Sequence, residues 1–313
     1  MDQTFDETVE MMARGGEREA MAYKAACIEA GDKMIATCRG MGLEVQRMPG
    51  CIASFIVVNF LTVLGIDPEE AENELLQSEE ADPNRDLSEY DKTKPLHVPG
   101  EHKNLKYRGN GLKRSKQWFQ TEELDKLLIY LYTGFQYGVA HAQRHYSVVS
   151  VVEQMIDSLN KLFELNMNHA IFTLYRDGAD CIGTHQDKVK TIGQEPNDFI
   201  IVVKLGKEGR PFTLSNLKKE GEKAFPEPFF EKIVEPGSLI VMSSYDNEKN
   251  VAHGVPAVEV CGQTSSVVCR NIKNKMTNEE FEKQNAKCQK AKRARDAKKE
   301  IERAAKRLKV ENE

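Results

Sequence analysis

The sequence predicts a mainly β protein, an antiparallel sandwich or barrel with flanking helices, α+β in total content. Three observations point there. Short runs rich in Val, Ile, Phe or Thr recur at 169–175, 199–205, 211–215, 232–234, 238–243 and 265–272, each bounded by Gly, Pro, Asp or Asn. No helical pattern separates these runs, which disfavours an alternating α/β fold. Helical spacing instead lies on the flanks, in residues 1–76, at 148–165 and from 277 onward.

Composition leaves room for a real core. The chain has 313 residues, 40% hydrophobic and 30% charged, which excludes collagen-like, low-complexity and wholly disordered classes. The N-terminal region, 1–76, reads as helical and acidic. Asp67-Pro68-Glu69-Glu70 is a helix start, with a capping acid, Pro at the first helical position and Glu three residues after the cap. The apolar run 51–65 (CIASFIVVNFLTVLG) is too short for a bilayer span and is broken by Ser54, Asn59 and Thr62. It is expected to be the core of this helical unit. Residues 77–103 are acidic and Pro-bearing, with little to bury, and read as a linker.

Charge is distributed unevenly. Residues 1–100 carry a net −11, 101–270 balance to zero, and 271–313 carry +6. The segment 103–116 places six basic residues before any acid and runs into Trp118 and Phe119. Such a stretch fits either a solvated face or a phosphate-tracking lid beside a stacking aromatic. The basic tail, 277–313, starts at Thr277 or Asn278 as helix cap and reads as a solvated helix or a nuclear address. The opening MDQTFDETVE has no basic-then-apolar leader, so nucleus or cytoplasm is expected, with no secretion and no membrane partner. Seven cysteines without a CxxC pair read as reduced thiols.

The chemistry-bearing stretch is YRDGADCIGTHQDK, residues 175–188. His185 and Asp187 stand two apart, so extended backbone projects both to one face as ligands of a divalent transition metal. His253, in NVAHGVP, follows a strand and can return to the same barrel end, completing a facial set with open positions for non-haem Fe(II). Arg270 stands in an otherwise apolar strand with Val267, Val268 and Cys269. A buried guanidinium there can fork onto the distal carboxylate of a dicarboxylic co-substrate. His141 and His145 stand four apart, but no Glu follows His141 and a third ligand is lacking, so no zinc site is expected. Gly109-Asn110-Gly111 and 206–209 read as turns.

Taken in order, YRDGADCIGTHQDK, VEPGSLIVMSS, HGVP and CRN resemble the AlkB family of Fe(II)/2-oxoglutarate dioxygenases. Upstream, GLKRSKQWF and IYLYTGF are similar to that family's basic-aromatic lid and Tyr-x-Tyr stretch. The likeness spans residues 105–272. It implies a double-stranded β-helix (jelly-roll) core over 104–276. It further implies iron held by His185, Asp187 and His253, and 2-oxoglutarate bound by Tyr175 and Arg270. Nucleic acid would be contacted by Lys113, Arg114, Lys116, Trp118, Tyr130 and Tyr132. The family's Asn two before the tyrosine is Thr173 here, its second arginine is Met276 with Lys273 and Lys275 nearby, and its acid after HxD is Val189.

The activity implied is O2-dependent oxidation of alkylated bases in DNA or RNA, removing N-linked alkyl groups with release of formaldehyde. A hydroxylase of 5-methyl pyrimidine or of a protein side chain is the alternative. A non-catalytic binding module, with a protein partner contacting residues 1–100, is the third.

Overall fold

The computed structural model describes residues 3–80, 106–107, 110–111, 115–121, 126–128, 143–187, 195–273 and 275–277, with scattered positions of the tail up to 297. Three helices pack on the sheet assembly, α1 (Gln3–Gly40), α2 (Pro68–Glu80) and α3 (Ser150–Phe163). The strands in chain order begin with β1 (Val45–Arg47), β2 (Phe55–Val57), β3 (Lys106–Tyr107), β4 (Asn110–Gly111), β5 (Ser115–Gln120), β6 (Lys126–Leu128) and β7 (Gln143–His145). They continue with β8 (His169–Tyr175), β9 (Ile182–His185), β10 (Phe199–Gly206), β11 (Arg210–Asn216) and β12 (Pro228–Val234). The last are β13 (Leu239–Ser243), β14 (Val251–Val255), β15 (Thr264–Arg270) and β16 (Lys275–Thr277).

Two sheets form the body. The larger runs β1-β2-β13-β10-β15-β8-β5-β7, and the smaller runs β12-β11-β14-β9. Chain crossings alternate between them: β8 to β9, β10 to β11, β12 to β13, and β14 to β15. That winding is a double-stranded β-helix, the jelly-roll class expected. Pairings within the body are antiparallel except the parallel β5–β7 edge.

The larger sheet is covered on both faces, and alternation sorts its side chains. One face turns Phe119, Ala170, Phe172, Leu174, Phe199, Ile201, Val203, Val267 and Cys269 toward the helices. There α3 supplies Val151, Val152, Met155, Ile156, Leu159 and Phe163, each worth about 1.5–3 kcal/mol of burial before ordering entropy. The other face turns Ile56, Ile200, Ile240 and Met242 toward Phe212, Leu214 and Val251 of the smaller sheet. Consequently β8 is buried at every position.

The N-terminal region departs from its all-helical expectation. Residues 55–57 form β2, which pairs with β13, and β1 adds beyond it. Within the apolar run 51–65 only Phe60–Leu64 is helical, and it is a 3-10 turn. The reason is tertiary: β13 has an open edge, and Phe55 and Val57 find the helix-covered core while Ile56 finds the inner one. Residues 1–76 are thus joined to the barrel sheet. The tail's expected cap is present, since Thr277 Oγ1 accepts from Glu280 N–H at 3.2 Å while Thr277 N–H donates to the Glu280 carboxylate at 2.9 Å. Among the described residues the cysteines are free thiols, and no helix is long and apolar enough to cross a membrane.

Asp246, fully buried, ties the N-terminal hairpin to the short helix Ser244–Lys249. Its carboxylate accepts from Ile52 N–H and Ala53 N–H at 2.9 Å, Ser54 Oγ at 2.6 Å, Ser243 Oγ at 3.0 Å and Asn250 Nδ2 at 2.6 Å. Removing it leaves several buried donors unmet, at about 1–3 kcal/mol each where no water enters. Asp246→Ala is therefore expected to lower urea-unfolding stability by about 3 kcal/mol or more, and Asp246→Asn by less.

Candidate metal centre

β9 and β14 are neighbours in the smaller sheet, and their register sets His185 directly opposite His253. The two rings lie 4.5 Å apart between centroids. Phe212, on the next strand, backs His253 at 6.0 Å. Asp187 follows two residues beyond His185 and is buried. One donor atom from each of the three lies within 4.8 Å of the others.

Each ligand is oriented by something behind it. His185 Nδ1 lies 2.9 Å from Gly183 O, which can only accept, so Nδ1 carries the proton and Nε2 carries the lone pair. That Nε2 faces Asp187 Oδ1 at 3.7 Å. The other carboxylate oxygen, Oδ2, accepts from Arg270 Nη2 at 2.7 Å and Nε at 3.2 Å. Asn247 holds the backbone: its Oδ1 accepts from Asp187 N–H at 2.9 Å, and its Nδ2 donates to Asp187 O at 3.0 Å. Gln186 Nε2 adds bonds to the carbonyls of Asn247 and Glu248.

The electrostatics favour a cation between these groups. Burial alone would raise the Asp187 carboxyl, but the Arg270 guanidinium and both imidazoles outweigh it and hold the group well below the usual carboxylate range. Burial, followed by the neighbouring His185, pushes His253 down to about 3. The site therefore presents one carboxylate, a His253 imidazole that is neutral at neutral pH, and the Nε2 atom of His185, a set suited to a divalent transition metal. His253 Nδ1 is buried without a hydrogen-bond partner among the described residues, a donor set that metal ligation would satisfy.

The other expected residues divide. Arg270 faces the barrel interior but is committed to Asp187. Tyr175 is opposite Thr264, whereas Arg270 is opposite His169, so six residue pairs, roughly 20 Å of strand, separate the two. The structure does not bring this pair together. Tyr175 is covered instead by the Arg210 guanidinium, 4.6 Å above its ring. Trp118 needs a correction as a nucleic-acid contact: it is 1% exposed, because alternation along β5 turns it inward beside Ile171. Lys273 pairs with Asp198 at 3.5 Å. Lys116 is placed by its backbone in β5, while Lys113, Arg114, Tyr130, Tyr132, His141 and Val189 lie outside the described residues. Sequence reasoning missed Asn247, which carries no local signal, and buried His169, which stands opposite Arg270 on the inner wall.

No family model and no curated protein matches the chain. Solved structures with a similar backbone include a bsmA homolog from Methylobium petroleophilum PM1, 14% identical over 69% of this chain and 86% of that one, with a TM-score of 0.38. OsALKBH1 is 12% identical over 71% of this chain and 98% of that one, with a TM-score of 0.39. A 2OG-Fe(II) oxygenase family oxidoreductase from Burkholderia pseudomallei is 15% identical over 42% and 58%, with a TM-score of 0.26.

Two measurements check this centre. Asn247→Ala is expected to weaken Mn(II) or Fe(II) binding about 10–100-fold by calorimetry, with Asp187 still present. The metal-free protein should also lose stability as pH falls from about 6.5, where an unfolded His takes its proton, toward about 3, where folded His253 does. Urea midpoints measured across that window should fall less steeply in His253→Gln.

Proposed function

We propose that the chain is an Fe(II)/2-oxoglutarate-dependent dioxygenase that oxidises alkylated bases in nucleic acid, removing N-linked alkyl groups. The observation that carries this reading is the convergence of His185, Asp187 and His253 at one end of a double-stranded β-helix. Ferrous iron and 2-oxoglutarate bound there, with O2, would supply an oxidant able to take hydrogen from an unactivated C–H bond.

The chain's own residues define the surroundings of that chemistry. Asp187 offers Oδ1 alone, since Arg270 occupies Oδ2. His185 offers Nε2 because Gly183 O fixes its tautomer. Ile171, Val202 and Val268 line the inner wall and limit water near the reactive centre. A carbon attached to nitrogen, once hydroxylated, gives a hemiaminal that falls apart to formaldehyde, so the substrate atom decides between demethylation and stable hydroxylation.

Nucleic acid as substrate is supported by the resemblance in the 111–119 and 129–135 stretches and by six basic residues in 103–116. A base must leave its stack to reach a buried metal, and a stacking partner is then needed. With Trp118 turned inward, Tyr130 and Tyr132 are the aromatics left for that role. The basic tail as a nuclear address, and residues 1–100 as a protein-contact surface, belong to the same proposal.

A screen of N-methylated and 5-methylated oligonucleotides with iron, 2-oxoglutarate and ascorbate tests the reading. Mass spectrometry should find demethylated base with formaldehyde, abolished by His185→Ala and by Asp187→Ala. A stable hydroxymethyl pyrimidine would move the assignment to the hydroxylase. Turnover retained in either variant would overturn the metal assignment.

A further inference from the structure

A lysine stands in the middle of the apolar strand FIIVVKLG, and the chemistry above does not use it. Alternation along β10 turns Ile200, Val202 and Lys204 into the barrel. The ladders β10–β15 and β15–β8 set Lys204, Ser266 and Thr173 side by side in one row. All three are buried, at 5%, 4% and 1% exposure.

This row is polar and incompletely satisfied. Lys204 Nζ donates to Ser265 O at 3.1 Å, and no carboxylate of the described residues forms an ion pair with it. Thr173 Oγ1 has no hydrogen-bond partner among the described residues. Glu72 acts on the ammonium through space while it accepts from Gln263 Nε2 at 3.1 Å. Burial, then the like charge of Arg210, lowers the ammonium to about 8. Arg210, the other buried cation at this end, already donates to the carbonyls of Asp177 and Asp180 and lies on Tyr175. A buried ammonium with one neutral acceptor is costly, and an anion beside it removes that cost.

The position of the row fits one kind of anion. Between it and the row of Arg270 and His169 lies a row of Val202, Val268 and Ile171. An apolar collar thus separates the metal-ligating end from a buried cation flanked by hydroxyls. A ligand matching that sequence has a chelating head, a short methylene middle and a carboxylate tail.

We propose that Lys204, with Thr173 and Ser266 beside it, receives the distal carboxylate of the keto-acid co-substrate, the role that resemblance alone would give to Arg270. This rests on the keto-acid reading above and adds the residue that selects a diacid. Arg270 then serves as a positioning residue for Asp187.

Calorimetry on the ferrous protein without oxygen, comparing 2-oxoglutarate with 2-oxopentanoate, which lacks the second carboxylate, tests it. Wild type should bind the diacid at least ~30-fold more tightly, as expected of a buried charge pair. Lys204→Met should lose that preference while metal and 2-oxopentanoate affinities stay within about twofold. Should Lys204→Met fail to fold, Thr173→Val should cost roughly fivefold or more for the diacid alone. Full diacid preference in Lys204→Met, or in Thr173→Val where that stands in for it, overturns the proposal. If wild type binds iron but neither keto acid, the keto-acid reading falls, and this inference with it.

Discussion

One buried negative charge organises the functional end of this molecule. Asp187 has left water, and a carboxylate in that position must be met by hydrogen bonds and opposite charge or it will not stay ionised. The chain meets it from three directions. Arg270 comes from the last strand of the larger sheet, the imidazoles of His185 and His253 come from the smaller sheet, and Asn247 grips the backbone from the helix before β14. Each arrives from a different crossing of the barrel, so the site exists only when both sheets are closed.

That closure depends on the separation of two cores by one sheet. The helix-covered face of the larger sheet is mainly apolar, and its burial fixes the strand register. Register then fixes what the inner face displays. A slip of one residue in β15 would turn Arg270 outward and bring Cys269 into the barrel. The polar inner residues are tolerated in fully buried strands because the outer face supplies the stability. Such local inconsistencies, a lysine in FIIVVKLG or a histidine at the head of HAIFTLY, are the places in a buried strand where a function is to be sought.

Much of the barrel, and the His185, Asp187 and His253 cluster, is legible in the residues alone. The run 169–175 reads as a strand to its last residue because Ile, Phe and Thr content and flanking breakers agree. The cluster is readable because HxD on extended backbone is a geometric statement. β9 and β14 do not read as strands, since IGTH and VAHGV are short and carry little β signal. β2 is hidden inside a fifteen-residue apolar run whose periodicity suits a helix; only the open edge of β13 makes it a strand. Trp118 reads as a nucleic-acid contact because it follows a basic run, but its facing is decided by the pairing of β5 with β8. Arg270 reads correctly as interior, yet its partner, 83 residues earlier in sequence, is a tertiary fact.

The hairpin held by Asp246 has a consequence for how the polypeptide acquires its shape. Ile52 and Asp246 are 194 positions apart, so the β1–β2 hairpin has neither its carboxylate anchor nor its sheet neighbour until β13 and the helix after it have been synthesised. Contacts of that range slow folding through the loop entropy they must overcome. The apolar segment 51–65 spends that interval without its β13 neighbour and is the stretch a chaperone would be needed to shield.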